Sequence, residues 1–600
     1  MEKKILNKSN IISFALVVVI SLIIVSCVYR LWEIDTDVPP MYIGDGMLGM
    51  ILNTAIDEEG IMGNFFIDRM GAPGISPIVD SPFTDLMALI EEYAISIVTD
   101  SAADIGHWFY YLTYPLVAAT MYVLLSKFTE DKVTRIFFSI AYVVTPFHFM
   151  RGFQHASLSN YYIIPVTFYI VLLLAEEEYS GIIPARYKDS GLKRILYILS
   201  CIFIGCSNIY YAFISLICLV LAVIFKAIKN GEMRHLWNEG ISVVITLVSV
   251  GIGLLPNILY VLINGANTSS VVRNGNQSEY YALKFIQLLI PPSYDRIEFL
   301  RKINDAYVDE SIIINENTYV SLGILGVIGL GILIIWMIYK LAMGIAGKNI
   351  ETTKLKLTNI DIYRLNLLGF VVLVLILYAT AGGFGTIFSY VINPVFRSIN
   401  RVSIYIACCS ICAIVIFVRR IKERFSNKTG RITILVAAIL VGGIVLYSET
   451  PKFNVGYQKP AAEFDKGLRN FFGELEDSLE PGDMVYTLPY LQFPEGGLLY
   501  DMGTYDPGYG YVYTRTIRWS YGGIVGRNED AKLLNIDNGA SADFVNNILD
   551  NGFSGVYIDR NGYEDGGIEI IQFYSIELGL TPLVSEDERF VFYNLKDLSK

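Results

Sequence analysis

The run IISFALVVVISLIIVSCVY, residues 11–29, holds nineteen positions without a charge and decides what kind of chain this is. At about 1.5 Å of helical rise per residue, such a run reaches across the roughly 30 Å hydrocarbon core of a bilayer. It follows MEKK and so has the outline of a signal peptide. No small-residue cleavage site closes it, and its length makes it a retained membrane helix.

Runs of this kind recur along the chain. Hydrophobic residues make up 53% of the 600 and charged residues 17%, with a mean hydropathy of +0.47. We expect eleven spans, near 11–29, 105–126, 134–149, 161–175, 195–208, 210–226, 240–263, 319–343, 364–380, 402–418 and 432–448. Only GCSNIYYAF (205–213) separates the fifth from the sixth.

Basic residues orient the bundle. With Lys3, Lys4 and Lys8 on the cytoplasmic side, the connectors on that side hold Lys127, Lys132 and Arg135, then Arg186, Lys188, Lys193 and Arg194. Lys226, Lys229 and Arg234 follow, then Lys348, Lys354 and Lys356, and last RRIKERFSNKTGR (419–431). Four pieces are left outside: 30–104, 150–160, 264–318 and a C-terminal domain. The chain therefore divides into a membrane part, 1–448, and an extracytoplasmic domain, 449–600. That domain alternates β-type runs (MVYTLPY 484–490, FSGVYIDR 553–560, RFVFYNL 589–595) with polar helical stretches, the pattern of a small α/β fold. Its middle, 493–530, is rich in Gly and Tyr and too irregular for either element, which marks a structured loop.

Charge and cysteine usage exclude several classes. The net charge of −12 argues against nucleic acid. All seven cysteines lie in the spans, so no external disulfide, zinc or thiol chemistry is expected. There is no P-loop, dinucleotide fingerprint, HExxH or GxSxG. Few charges fall at mid-membrane and no internal repeat is visible, which weighs against a transporter. The polar chemistry gathers instead at the outer surface.

Two stretches there stand out. WEIDTDVPPMYIGDGMLGMILNTAIDEEG (32–60) is acidic and then takes the apolar spacing of a helix lying in the interface. Asp45 opens that helix between two glycines, where a helix N-terminus favours the ionised carboxylate, as suits a base; an ordinary N-cap explains it equally. Asp35 and Asp37 form a DxD too short to weigh. TPFHFMRGFQHASL (145–158) sets His148, Arg151 and His155 between two spans. Anchoring of a helix end at the headgroups is the alternative for these three.

The ordered set GDGMLGMIL (44–52), NFFIDRMGAPGISPIVDSPFTD (64–85), TPFHFMRGFQHASLSNYYIIPV (145–166), SNIYYAF (207–213), IPPSYDRIEFL (290–300), NENTYVSLGILGVIGL (315–330), FRSINRVSIYIA (396–407) and IRWSYGGIVGRNED (517–530) resembles a family of bacterial polytopic membrane proteins. They are glycosyltransferases of the GT-C type, near the YfhO-like group. One departure is visible: where that family often carries a His-Arg pair, SYDR keeps only Arg296.

The resemblance implies a polytopic helical GT-C-like fold and transfer of a sugar from a polyprenyl-phosphate carrier to a cell-envelope glycopolymer or protein acceptor. The lipid phosphate must be met by cations and the acceptor hydroxyl by a carboxylate. Asp45 then takes the role of base, with Asp80 as its assistant or, in its Ser-Pro context, only a turn residue. Arg151, His155, Arg397 and Arg401 meet the phosphate, and His148 orients Arg151. Asn208, Tyr210 and Tyr211 line the lipid-sugar cavity or belong to an interfacial tyrosine belt. Glu316 hydrogen-bonds sugar hydroxyls or caps the eighth span. Arg515, Arg518 and Trp519 contact sugar or acceptor, or are core and salt-bridge residues. No metal site and no cofactor are expected, a divalent cation being left open. A flippase of lipid-linked sugars and a non-catalytic envelope scaffold are the alternatives. In the favoured reading Asp45 and Arg151 face one cavity, which the Arg515–Trp519 stretch roofs and which opens sideways to lipid near Tyr210 and Tyr211.

The topology is testable directly. Cysteines introduced at Ser157 and Ser541 in a cysteine-free background are expected to react with an impermeant thiol reagent on intact cells. Labelling of only one of them contradicts the arrangement.

Overall fold

The computed structural model describes residues 8–81, 85–180, 183–346, 357–425, 427–452, 458–527 and 539–599. The connector carrying Lys348, Lys354 and Lys356, and the last residues of IRWSYGGIVGRNED, lie outside them. Among the described residues ten helices are long and apolar enough to cross a membrane: Lys8–Tyr29, Ala102–Leu125, Lys132–Arg151, Phe153–Glu176, Ile209–Asn230, His235–Gly253, Gly323–Ile345, Asn359–Ala379, Ile399–Arg424 and Lys428–Glu449. The chain is a multi-pass helical membrane protein.

The fifth expected span, 195–208, takes a shorter helix. Its run forms the helix Gly191–Cys206, which at 16 residues is shorter than the roughly 20 of an ordinary crossing, yet it reaches from Tyr197 beside Tyr179 to Asn208 beside Ser157, one end of the bundle to the other. It packs closely on the His235–Gly253 helix, because Gly205 has no side chain: a Cβ there would lie 2.4 Å from the Thr246 carbonyl oxygen. Small residues allow helices in lipid this close approach. The weak break at 205–213 is genuine. The Asn208 side chain accepts a hydrogen bond from the Tyr210 N–H at 3.1 Å and so caps the next helix.

The third crossing is interrupted. Pro146 begins a short helix, Pro146–Arg151, after Val144 and Thr145 leave the helical ladder, and Gly152 ends it at φ +48. An L side chain rarely adopts that conformation, so the turn that aims residues 151–155 calls for glycine.

At one end of the bundle sits a five-stranded sheet in the order Arg518–Trp519, Met484–Leu488, Phe553–Asp559, Phe590–Asn594, Leu583–Val584. The first three strands run parallel and the last two pair antiparallel. The edge at Arg518–Trp519 is covered by the first loop of the chain. The Trp519 N–H donates to the Arg69 carbonyl at 2.7 Å, and the N–H groups of Gly71 and Ala72 donate back to Tyr521 and Trp519. An uncovered edge would leave these groups unpaired.

The helix Gly44–Glu59 does not lie with its apolar face on a membrane surface. Met47, Met50, Ile51 and Ala55 are buried in one core with Phe472, Tyr505, Tyr509, Tyr511 and Trp519. The sequence pattern marks an apolar face but not what covers it. Arg69 locks the junction, donating to both Glu58 carboxylate oxygens, at 2.7 and 3.0 Å, and to the carbonyls of Tyr511, Thr514 and Ile517.

Trp519 is fully buried, its indole N–H donating to Thr514 Oγ1 at 2.9 Å. Trp519→Ala is expected to remove about 3–5 kcal/mol, the usual cost of emptying so large a core position. Limited proteolysis of the purified protein checks this: cleavage within 458–600 should rise steeply while the membrane helices stay protected.

Candidate functional site

The turn at Gly152 directs Arg151 inward, where its side chain is 0% exposed. It meets Glu316, which opens the short 3-10 helix Glu316–Thr318 behind an Asn315 side-chain cap. Arg151 Nη1 donates to Glu316 Oε2 at 2.6 Å and Nη2 to Asn400 Oδ1 at 3.4 Å. Arg401 brings Nη2 to 3.9 Å from Glu316 Oε1, and its guanidinium lies over the Tyr210 ring at 3.8 Å. His155 Nε2 stands 3.8 Å from Glu316 Oε2 and 3.3 Å from Asp45 Oδ2. Residues 45, 155, 151, 316 and 401, far apart in the chain, thus form one network.

Its electrostatics are set by these neighbours. Burial pushes the Glu316 carboxyl up, but the charges of Arg151 and Arg401 outweigh it and hold the group well below the usual carboxylate range. Asp45 moves the other way. Its side chain is 54% exposed, and the remaining contact with protein removes part of its water. That burial, and then the like charges of Glu316 and Glu495, raise it, with Arg401 and Arg397 offsetting only part. The direction is opposite to what the helix N-terminus alone gives. A raised carboxyl is a better proton acceptor.

Buried nitrogens around the network outnumber their partners. Among the described residues, Arg151 Nε, Arg401 Nε, Asn400 Nδ2 and His155 Nδ1 are buried without a hydrogen-bond partner. Three of these are obligate N–H donors, and an unsatisfied buried donor costs roughly 1–3 kcal/mol. The arrangement is suited to an oxygen-rich anionic guest. Arg397 lies nearby, with Nη1 donating to Gln277 Oε1 at 3.3 Å and its guanidinium over the Tyr281 ring at 5.0 Å.

Several sequence candidates are placed elsewhere. Arg151 itself is enclosed and paired with Glu316, and it bears on the site through that carboxylate. His148 does not orient Arg151. It is buried in the bundle, stacked on Tyr114 at 3.8 Å, with Nε2 against Thr113 Oγ1 at 2.8 Å and Nδ1 against the Val143 carbonyl at 3.0 Å. Asp80 is held by Arg527, which donates Nε and Nη2 at 2.9 and 2.6 Å, and by Asn267 Nδ2 at 2.8 Å. It ties three loops together instead of assisting Asp45.

Arg515 pairs with Asp57 and Glu58 at 3.0 and 3.1 Å, and Arg518 donates to the Pro73 carbonyl at 3.1 Å. With Trp519 in the core, the three serve the core and the junction of the C-terminal domain. Tyr211 is fully buried and bonds the Leu158 carbonyl. Asn208 serves as a cap and donates to Ser157 Oγ at 3.5 Å. Tyr210 is the member of that group that reaches the site, beneath Arg401.

A cavity of about 230 Å³ is lined by Tyr29, Val38, Met41, His107, Arg151 and Gln154. Asp45 does not line it. Among the described residues no group of three or more His, Cys, Asp or Glu is placed to hold a metal ion. Sequence reading missed Arg273, Asn400 and Glu495. The PEGG turn at 494–497 was the available signal for Glu495, but no local pattern pairs it with Arg273, 222 positions away.

Comparison with known proteins adds the following. One family model, described as "Domain of unknown function (DUF6311)", matches residues 65–443. No curated protein matches the chain. Among solved structures, the chain is similar to the archaeal oligosaccharyltransferase AglB from Archaeoglobus fulgidus in complex with an inhibitory peptide and a dolichol-phosphate. The identity there is 12% and the TM-score 0.46, over 97% of this chain and 74% of that one. It is also similar to the arabinofuranosyltransferase AftD from Mycobacteria, at 12% identity and TM-score 0.46, over 97% and 40% of the two chains. For ArnT from Cupriavidus metallidurans bound to undecaprenyl phosphate the values are 10% and 0.42, over 96% and 97%.

The buried pair gives a stability prediction. Arg151→Ala leaves Glu316 without its nearest countercharge and is expected to cost about 3–5 kcal/mol, with Arg151→Ala/Glu316→Gln recovering much of it. Because the folded Glu316 carboxyl is depressed, its stabilisation is fully present above the ordinary value near pH 4.3 and lost as pH falls below it. Thermal unfolding in detergent should therefore show the gap between Arg151→Ala and wild type narrowing in acid.

Proposed function

The chain belongs to the DUF6311 family, and we propose that it is a membrane glycosyltransferase of the GT-C type, using a polyprenyl-phosphate-linked sugar. The observation that supports this best is the juxtaposition of a raised carboxyl, Asp45, with an arginine cluster carrying spare buried donors. The chemistry needs both halves. An acceptor hydroxyl attacks the anomeric carbon, its proton passes to Asp45, and the bond from that carbon to the phosphate oxygen breaks. The electron pair leaves with the lipid phosphate, whose negative charge Arg401 and Arg397 neutralise.

In this reading Arg151 is a positioning residue. It fixes Glu316, and Glu316 in turn holds Arg401 and His155 where the donor and Asp45 meet. Tyr210 supports the Arg401 guanidinium from below by a cation–π contact. The reaction needs no nucleotide sugar, in keeping with the absence of nucleotide-binding motifs from the sequence. The basic connectors favour an arrangement with the C-terminal domain and the site outside the cytoplasm, and the motif set favours a bacterial envelope protein near the YfhO-like group. The acceptor is then an envelope glycopolymer or protein.

Asp45→Asn tests the proposal. Turnover of a polyprenyl-phosphate sugar by the purified protein is expected to fall by about 10²–10⁴-fold, the usual share of a general base, while binding of the lipid carrier persists. Since the Asp45 carboxyl is raised, the acid limb of the wild-type pH–rate profile should lie above the ordinary aspartate value near 3.9 and disappear in the variant. A flippase or scaffold requires no base, so undiminished activity in Asp45→Asn defeats the glycosyltransferase reading.

A further inference from the structure

A second carboxylate enters the site from the C-terminal domain. Glu495 lies in the turn LQFPEGG (491–497), which Phe493 pins at its base: Phe493 is buried, and its carbonyl accepts the Val525 N–H at 3.1 Å. Beyond that anchor Glu495 takes φ +63, a left-handed conformation that L residues seldom adopt without glycine's freedom. The residue is thus held by something other than its own backbone preference. Its partner is Arg273, whose Nη1 and Nη2 each donate to a separate oxygen of the Glu495 carboxylate. Such a fork-to-fork pair has the geometry with which arginine also takes two phosphate oxygens.

The two halves of the pair are unequally free. The Arg273 side chain is 7% exposed and that of Glu495 37%, so the cation is part of the wall and the anion is the member that reaches solvent. Arg397 supplies a second positive charge, and Glu495 faces both arginines electrostatically. Burial raises its carboxyl, but Arg273 and Arg397 outweigh this and keep it ionised. Glu495 also acts on Asp45, and the Tyr505 hydroxyl feels both carboxylates. Three negative groups, Asp45, Glu316 and Glu495, therefore converge where an anionic donor would have to bind. Glu316 is fixed by buried arginines. Glu495 is the displaceable one.

We infer that Arg273 and Arg397 form an oxyanion subsite beside Asp45, and that Glu495 of the C-terminal domain fills it until an incoming phosphoryl group takes its place. This rests on reading the site as one for a lipid-linked phosphate. It adds a residue, Arg273, to the donor-binding set and gives the C-terminal domain a part in donor admission. It also has a consequence for the base. Departure of the Glu495 charge removes one of the groups that raise the Asp45 carboxyl, while the donor phosphate restores a negative charge near the same place. Burial and Glu316 act on Asp45 in either state, and the occupant of the subsite, carboxylate or phosphate, adds to their effect.

The test uses purified full-length protein in detergent, with farnesyl phosphate as the probe and farnesol as its uncharged counterpart. Wild type is expected to prefer farnesyl phosphate over farnesol. Glu495→Gln, which keeps the shape and removes the charge, should bind farnesyl phosphate about tenfold more tightly, because a competing closed state is lost. Arg273→Ala should bind it more weakly, and Arg273→Ala/Glu495→Gln should show no gain over Arg273→Ala alone. Phosphate-dependent binding that Glu495→Gln leaves unchanged or weakens overturns the displacement and spares the donor reading. No preference for farnesyl phosphate over farnesol, in wild type or in Glu495→Gln, overturns both.

Discussion

The site is organised by one buried carboxylate. Glu316 is drawn into the protein by Arg151 and Arg401, and the three come from separate parts of the bundle. Two unit charges 4 Å apart at an effective dielectric of about 20 attract by about 4 kcal/mol. Removing each from water costs several kcal/mol, so the pair adds little net stability. What it does fix is position. Once Glu316 is committed to Arg151, its free edge determines where Arg401 and His155 lie, and His155 determines what Asp45 faces. The spare N–H groups on Arg151, Arg401 and Asn400 are the remainder of that arrangement. The network is overdetermined on the side of the carboxylate and underfilled on the side of the donors.

The membrane helices were legible in the sequence because a hydrophobic run is a local property. The helix at 191–206 is shorter than its neighbours, and how closely it packs is set by Gly205 against the neighbouring helix, which composition does not record. The α/β character of the C-terminal domain could likewise be read from alternating runs. Site residues were less legible, since their roles depend on partners hundreds of positions away. Asp80 looks like Asp45 as a string, an aspartate near a turn in an acidic loop. One is neutralised by Arg527, the other faces a histidine. His148 and Arg151 sit one turn apart on a short helix, yet the histidine belongs to the tyrosine-rich interior of the bundle and the arginine to Glu316. Trp519 shows the same limit, because an aromatic in a Gly- and Tyr-rich loop has the composition of a sugar platform and the burial of a core residue.

The segment after the first helix is better understood with the C-terminal domain than with the bundle it adjoins in sequence. Residues 69–72 extend the edge of the sheet, Arg69 inserts among the carbonyls of 511–517, and the apolar face of Gly44–Glu59 is covered by Phe472, Tyr509 and Trp519. Asp45 is therefore carried on a helix whose position is set by the C-terminal core. His155, Glu316, Arg151 and Arg401 are carried by the bundle and its loops.

That division has a mechanical consequence. The 3.3 Å approach of Asp45 to His155 spans two bodies, joined where Arg527 donates to the Asn264 and Gly265 carbonyls and where Arg273 meets Glu495. Arg527 is itself held by the buried Asp80 carboxylate, whereas the second tie reaches a carboxylate that is 37% exposed. Coulombic coupling falls with distance and with the water admitted between the charges, so how strongly Glu316 and Arg401 act on the Asp45 carboxyl depends on where the two bodies meet. The position of the base and the occupancy of the Arg273 subsite are then not independent, because both are fixed by where one domain rests on the other.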